Sequence, residues 1–186
     1  KVTDTVNFCS KTSSGFAVSV SPTVGITLSG PLNFCSGNSV MLSVDSSENY
    51  TFQWILNGSA ILGATYSNLT ATTSGDYSVE VTDNSPGLGC TITSDTQVVT
   101  VYPTTAAGTL SGTTSICIGA AASNLTLSGY TGDIIRWESS INGGSSWQTI
   151  AHTSDTYNPG EPTQTTQYRA VVQSGTCATA NSNAVT

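Results

Sequence analysis

The chain has 186 residues and a formal net charge of −7 at neutral pH, and only 8% of its residues are charged. Four Lys and Arg residues cannot form a basic surface, so nucleic acid and anionic lipid are not expected as partners. No apolar run reaches the ~20 residues that a membrane helix needs, so direct insertion into a membrane is not expected either.

Uncharged polar residues dominate the rest of the composition and indicate an all-β protein. Thr and Ser suit the exposed faces of β-strands, and Gly and Asn suit the turns between them. The chain also repeats itself with a period of about 82 residues, which is typical of independent domains in tandem.

Residues 1–21 begin in the middle of this repeat. Cys9 is followed by a polar stretch and an alternating valine run, and the same order recurs after Cys90 and after Cys177. We therefore expect residues 1–21 to be the C-terminal strand region of a preceding module, and the chain to be an excerpt of a longer protein.

Residues 22–103, called module one below, have the pattern of a complete β-sandwich. A Trp lies on an early strand and a Gly-Asp-Tyr opens a late one, which is typical of an immunoglobulin-like fold. Alternating apolar residues predict these strands: Ile26–Ser29, Ser39–Val44, Thr51–Leu56, Ala60–Ile61, Ser67–Ala71, Asp76–Thr82 and Thr96–Tyr102.

Residues 104–186, called module two, repeat this plan, with Trp137 in the place of Trp54. The tripeptide Asn142-Gly143-Gly144 indicates a hairpin turn, and the last strand is expected to be truncated at Thr186. The predicted fold class is all-β, with tandem immunoglobulin-like β-sandwich modules joined by short linkers.

Five cysteines indicate an exported protein that folds in an oxidising compartment. The repeat suggests that Cys35 pairs with Cys90 and Cys117 with Cys177. The predicted strands, however, place the early and late cysteine of a module near opposite ends of the sandwich. Either the pairing or the strand placement must therefore change, and Cys9 is left for a partner in the preceding module.

The pattern C-x-G…W…NG…G-x-Y-x-V-x-V…GC…V-x-V of module one resembles the immunoglobulin-like repeats of large Bacteroidetes surface proteins. The segments GTLSGTTSICIG, RWESSINGGSSWQTI and TTQYRAVVQSGTC of module two are similar to a companion repeat of those proteins. The resemblance implies type IX secretion, export through the outer membrane, and an extracellular position at the cell surface. It also implies a part in a gliding-motility-like adhesin, and it transfers no catalytic residue.

No arrangement of residues predicts catalysis, and an enzyme is not expected. His152 has no nucleophile elbow with which to form a triad, so we interpret it as a solvated loop residue. The segment from Ser140 to Trp147 is similar to the Asp box of sialidases, with Asn142 replacing the Asp, and is interpreted as a structural turn.

No cofactor or metal site is expected, since the carboxylates are scattered; a single loop Ca²⁺ stays open without support. The Asp-Thr-Val that contains Thr5 matches the O-glycosylation motif of Bacteroidetes, which makes Thr5 a candidate acceptor. Tyr130 and Trp147 are candidate ligand-contact aromatics, because exposed rings stack on sugar faces.

The predicted function is that of a non-catalytic repeat of a bacterial surface adhesin, acting as an extracellular stalk or spacer. Its expected partners are neighbouring repeats of the same protein, with surface glycans or other cell-surface proteins as further candidates. Two alternatives stay open. One is a glycan- or protein-binding immunoglobulin-like module, and the other is an accessory region of a secreted polysaccharide-degrading enzyme.

Overall fold

The structure is a computed structural model that describes residues 2–3, 10–11, 24–86, 89–112, 115–117 and 120–186, and its regular elements there are all β-strands. Near the N-terminus, β1 (Val2–Thr3) pairs antiparallel with β2 (Ser10–Lys11). The remainder of the predicted region 1–21, with Thr5 and Cys9, lies outside the described residues.

Module one is a sandwich of two sheets. Its strands are β3 (Thr27–Leu28), β4 (Asn33–Cys35), β5 (Val40–Ser43), β6 (Tyr50–Leu56), β7 (Ser59–Ala60), β8 (Asn68–Ala71), β9 (Gly75–Asp83), β10 (Cys90–Thr93) and β11 (Gln97–Tyr102). One sheet has the order β3-β5-β8 and the other the order β4-β11-β9-β6-β7, with β10 also paired to β9. This is the strand arrangement of an immunoglobulin-like domain.

Module two has the same two-sheet plan. Its strands are β12 (Thr109–Ser111), β13 (Leu125–Ser128), β14 (Asp133–Ser140), β15 (Gln148–Ile150), β16 (Thr156–Tyr157), β17 (Gln167–Gln173) and β18 (Ala180–Asn181). The sheets have the orders β12-β13-β16 and β15-β14-β17-β18.

A buried tryptophan forms the centre of each core. Trp54 and Trp137 are both fully buried, and aliphatic side chains from the two facing sheets surround each of them. Each indole N–H donates to a loop carbonyl, from Trp54 to Tyr66 at 2.9 Å and from Trp137 to Ser154 at 3.0 Å. A polar group buried with the ring is therefore satisfied in both modules.

The two modules also share a register. Trp54 on β6 lies opposite Val79 on β9, and Trp137 on β14 lies opposite Ala170 on β17. The two long central strands of each module therefore pair in the same register around the buried tryptophan, in agreement with the repeat in the sequence.

The predicted fold class is confirmed, and each strand predicted in module one corresponds to an observed one. Two observed strands, β4 and β10, were not predicted. Both are short and depend on partners elsewhere: β4 lies parallel to β11, and β10 lies antiparallel to β9. Periodicity within so few residues cannot reveal such pairings.

Replacing Leu42 by Ala should destabilise module one by about 2–5 kcal/mol, because the fully buried side chain leaves a cavity. The neighbouring Met41 is 44% exposed on the other face of β5, so Met41→Ala should change the free energy of unfolding by less than about 0.5 kcal/mol. Urea unfolding of both variants measures the difference. Equal losses would contradict this assignment of faces.

Candidate functional site: the junction between the modules

The junction begins with the position of Cys35 at the end of β4. β4 lies parallel to the end of β11, and Cys35 is the pairing partner of Tyr102. The Ser36 amide donates to the Tyr102 carbonyl at 2.7 Å. Because the chain passes from Tyr102 through Pro103 into module two, Cys35 lies where the modules meet.

A disulfide bond crosses the junction from Cys35 to Cys177. Their Cα atoms are 5.4 Å apart, within the usual range for a disulfide. Cys177 ends a turn after β17, where its amide donates to the Ser174 carbonyl at 2.9 Å. Only 4% of Cys177 is exposed, so the bond is sheltered on the side of module two.

Hydrogen bonds tie the connecting segment to the same turn. The Ser174 amide donates to the Thr105 hydroxyl at 3.0 Å. The Cys177 Sγ lies 3.5 Å from the Pro103 carbonyl oxygen, which is a packing contact because a disulfide sulfur has no proton to donate. The connection is therefore held against module two from its first residues.

Gly175 lets this turn approach module one closely. Its φ of +50° is a left-handed conformation, and a Cβ atom at this position would collide with the Tyr102 ring. The backbone of the turn thus packs directly on the last side chain of β11.

The expected pairing of Cys35 with Cys90 and of Cys117 with Cys177 is wrong. Cys90 lies opposite Asp83, at one end of β9, whereas β11 meets Gly75 at the other end as it approaches Cys35. Nine residues of extended strand separate these ends by roughly 26 Å. The strand placement was correct and the pairing within a module was not.

The remaining cysteines have different positions. Cys90 is exposed on β10. Cys117 is exposed, and within the described residues it forms no disulfide bond.

A second polar cluster lies on the outer face of module two. Arg136 and Arg169 each donate to the Glu138 carboxylate at 2.7 Å, one to each oxygen. The guanidinium of Arg169 also stacks 4.0 Å from the centre of the Trp147 ring. Trp147, a predicted ligand-contact residue, is half-buried with one ring face occupied by this cation.

The Glu138 side chain is largely buried, and this burial acts to raise its pKa. Hydrogen bonds from Arg136 and Arg169 outweigh the effect and hold the pKa below its ordinary value. The carboxylate is thus charged at neutral pH, and its ion pair with Arg169 links β14 to β17.

The segment similar to an Asp box forms the hairpin turn between β14 and β15. The Gly144 amide donates to the Ser140 hydroxyl at 2.9 Å, and the Ser146 amide donates to the Asn142 side-chain oxygen at 3.0 Å. The polar atoms of the motif are engaged with the turn itself, as a structural role requires.

The other predicted residues lie around the core of module two. Tyr130 is half-buried and packs on the core. His152 lies in a loop, as expected, and is half-buried: its ring packs against Trp137 and Tyr157, with a centroid distance of 5.3 Å to the latter, and its Nε2 lies 2.7 Å from the Thr156 carbonyl oxygen. An imidazole held in this way serves packing.

The most exposed large apolar side chains lie in the loop between β7 and β8. Leu62 is fully exposed and Tyr66 is 75% exposed. The sequence analysis named Tyr130 and Trp147 as candidate ligand-contact aromatics and did not include Tyr66. The position of Tyr66 in a loop, outside any alternating apolar run, is the sequence feature that indicates an exposed side chain.

Two further classes of site were examined in the ranges that the structure describes. No group of three or more His, Cys, Asp or Glu side chains there is placed to hold a metal ion. No helix in those same ranges is long and apolar enough to span a membrane.

Residues 106–186, essentially module two, match the model of a domain of unknown function, DUF8696. No curated protein matches the sequence.

Comparison with solved structures gives several matches. One is a chain from the crystal structure of the mouse coronavirus receptor-binding domain with its murine receptor, with a TM-score of 0.54 and 16% identity over 87% of this chain and 97% of that one. Domains from titin give a TM-score of 0.49 at 13% identity, covering 88% of this chain and 65% of that one. An adhesin from an Antarctic bacterium gives 0.42 at 13% identity, covering 90% of this chain and 48% of that one.

Fold and junction together define a class. The chain is a tandem of immunoglobulin-like modules joined by a disulfide bond, and such bonds are typical of proteins that mature outside the cytosol.

Glu138→Gln should lower the free energy of unfolding by about 1–2 kcal/mol at pH 7, because it removes the charged acceptor of two arginines. Since folding lowers the pKa of Glu138, its stabilisation is complete above the unfolded value of about 4.3 and is lost as pH falls through the lower folded value. The difference between parent and variant should therefore shrink as the pH falls below about 5. Denaturant unfolding across this range measures it, with the exposed Glu161→Gln as control.

Proposed function

We propose that this chain is a non-catalytic repeat segment of a bacterial surface adhesin and serves as an extracellular stalk. The single observation that carries the proposal is the disulfide bond between Cys35 of module one and Cys177 of module two. A stalk must hold its modules in a fixed direction. A covalent bond beside the linker does so without a large buried interface between the modules.

The linker itself supports a stiff connection. Pro103 restricts the backbone immediately after β11, and Thr105 accepts a hydrogen bond from Ser174. The linker and the disulfide bond join the two modules at two separate points, which opposes both bending and twisting. Tandem binding domains that move independently would not require a second covalent connection.

The finer assignment rests on the repeat motifs. The resemblance of both modules to Bacteroidetes surface repeats supports export by type IX secretion and a place in a gliding-motility-like adhesin at the cell surface. The proposal is non-catalytic because the polar clusters found are engaged in turns and strand contacts, as at Ser140, Glu138 and His152.

Replacing both Cys35 and Cys177 by Ser should release the two modules. In the parent chain, ¹⁵N relaxation should report one rotational correlation time for both modules, and small-angle scattering a single shape. In the double variant the modules should tumble with separate, shorter correlation times while each core stays folded, because each has its own buried tryptophan. Independent tumbling of the modules in the parent would refute the stalk proposal.

Cys117→Ser is the matched control, since it removes a cysteine without touching the junction bond. It should leave the relaxation of the 186-residue chain unchanged.

The exposed pair Leu62 and Tyr66 favours a second candidate function, binding of a surface glycan or a partner protein by module one. Exposed apolar rings of this kind stack on sugar faces or fill partner pockets. None of the junction contacts described above involves Leu62 or Tyr66, so a stalk could also carry this surface.

A screen against insoluble polysaccharides, a glycan panel and cell surfaces tests this candidate. Tyr66→Ala should weaken any saturable binding about 3- to 10-fold, the amount that one stacked ring contributes. Tyr130→Ala is the comparison, because Tyr130 packs on its own core. Equal binding by the parent and Tyr66→Ala would exclude this loop as the site.

A further inference from the structure

Cys117 stands in module two where Cys35 stands in module one. The segments Asn33-Phe34-Cys35, which forms β4, and Ser115-Ile116-Cys117 occupy matching places in the repeat, since each follows the first strand of its module. Cys35 is bonded to the next module, whereas Cys117 is exposed and without a disulfide in the described residues.

The strand register shows which end of module two this is. In module one, Gln97 pairs with Tyr77, and in module two, Val185 pairs with Tyr168. Since Tyr77 and Tyr168 each lie two residues before the partner of the buried tryptophan, Val185 corresponds to Gln97. Thr186 therefore corresponds to the second residue of β11.

A groove of about 330 Å³ lies beside Cys117. In module one, the last residues of β11 run in the matching place, between β4 and β9, and lead directly to the junction. Residues that line the groove include Ser115, Ile116, Cys117, Tyr168, Val185 and Thr186.

We propose that Cys117 forms a second junction disulfide with a further module of the same kind, and that the groove receives the strand leading to it. The strand takes the place that Val99–Tyr102 has in module one, and the bonding cysteine is the counterpart of Cys177 in the turn after the long strand of that module. This inference deepens the proposed stalk and rests on it: each junction is closed by the early cysteine of one module and the late cysteine of the next.

The chemistry is ordinary thiol–disulfide exchange. The two protein thiols transfer their hydrogens to a small-molecule or enzyme disulfide, which becomes two thiols, while one S–S bond forms in the protein. An exposed cysteine such as Cys117 is accessible to that exchange.

The test extends the chain after Thr186 with a copy of its own residues 99–186. By the register above, this copy extends the chain in step with β11 of module one, without an insertion or a deletion. In the copy, the counterpart of Cys117 is replaced by Ser, so that the copied Cys177 is the only new thiol. The chain is folded in a glutathione redox buffer and digested without reduction, and its disulfide-linked peptides are identified by mass spectrometry.

The expected result is a peptide pair that joins Cys117 to the copied Cys177, beside the pair that joins Cys35 to Cys177. In a matched chain with Cys117→Ser, the copied Cys177 should remain a thiol and the third module should tumble separately. A copied Cys177 that is free or bonded elsewhere, in a chain that keeps the Cys35–Cys177 bond, would overturn the inference. It would leave the proposed stalk intact, since that rests on the bond already present.

A shorter extension by residues 99–103 alone covers the case in which the longer chain does not fold. Completing the strand should slow amide hydrogen exchange in residues 115–117, because β4 is held in this way by Thr100–Tyr102. Unchanged exchange in a chain that melts cooperatively would show that the groove does not receive the strand, and would overturn the inference as well.

Discussion

The parallel pairing of β4 with the end of β11 determines the geometry of the whole junction. It places Cys35 beside Tyr102, the last residue of β11, facing the turn that contains Gly175 and Cys177. Because Cys35 ends β4, it lies within disulfide distance of Cys177 in module two and is not bonded within its own sandwich. A three-residue strand thus decides whether the disulfide stabilises one domain or joins two.

The cores and the junction stabilise different features of the chain: each core stabilises its own module, and the junction fixes the modules relative to each other. Each core has its own buried tryptophan, and within the described residues no strand pairing crosses from one module to the other. The disulfide closes a loop with a sequence separation of 142, which the chain-entropy model values at about 5 kcal/mol. Each core is formed by contacts within its own module, and the disulfide bond restricts the freedom of the two modules relative to each other.

The sequence was sufficient for seven of the nine strands of module one and insufficient for the connection between modules. Alternation around Trp54, Tyr77 and the late valines reflects burial within one module, which is a local property of the chain. Disulfide pairing depends on which sandwich ends meet, and the repeat suggested the wrong partner because corresponding cysteines recur in every module. The conflict between the pairing and the strand ends was visible beforehand. Its resolution needed β4, whose pairing no periodicity indicates. Burial of Tyr130 and the Arg169 contact of Trp147 likewise depend on tertiary neighbours.

The span of the Cys35–Cys177 bond also governs how the segment responds to tension. A pull that enters before Cys35 and leaves after Cys177 crosses the sulfur atoms directly and bypasses almost all of both sandwiches. The hydrogen bonds of the bypassed strands then carry little of the force, so neither core is required to resist being unravelled. Such a segment can lengthen only by its short outer stretches until a covalent bond is reduced or broken. Its extensibility is therefore set by redox chemistry rather than by the stability of its domains.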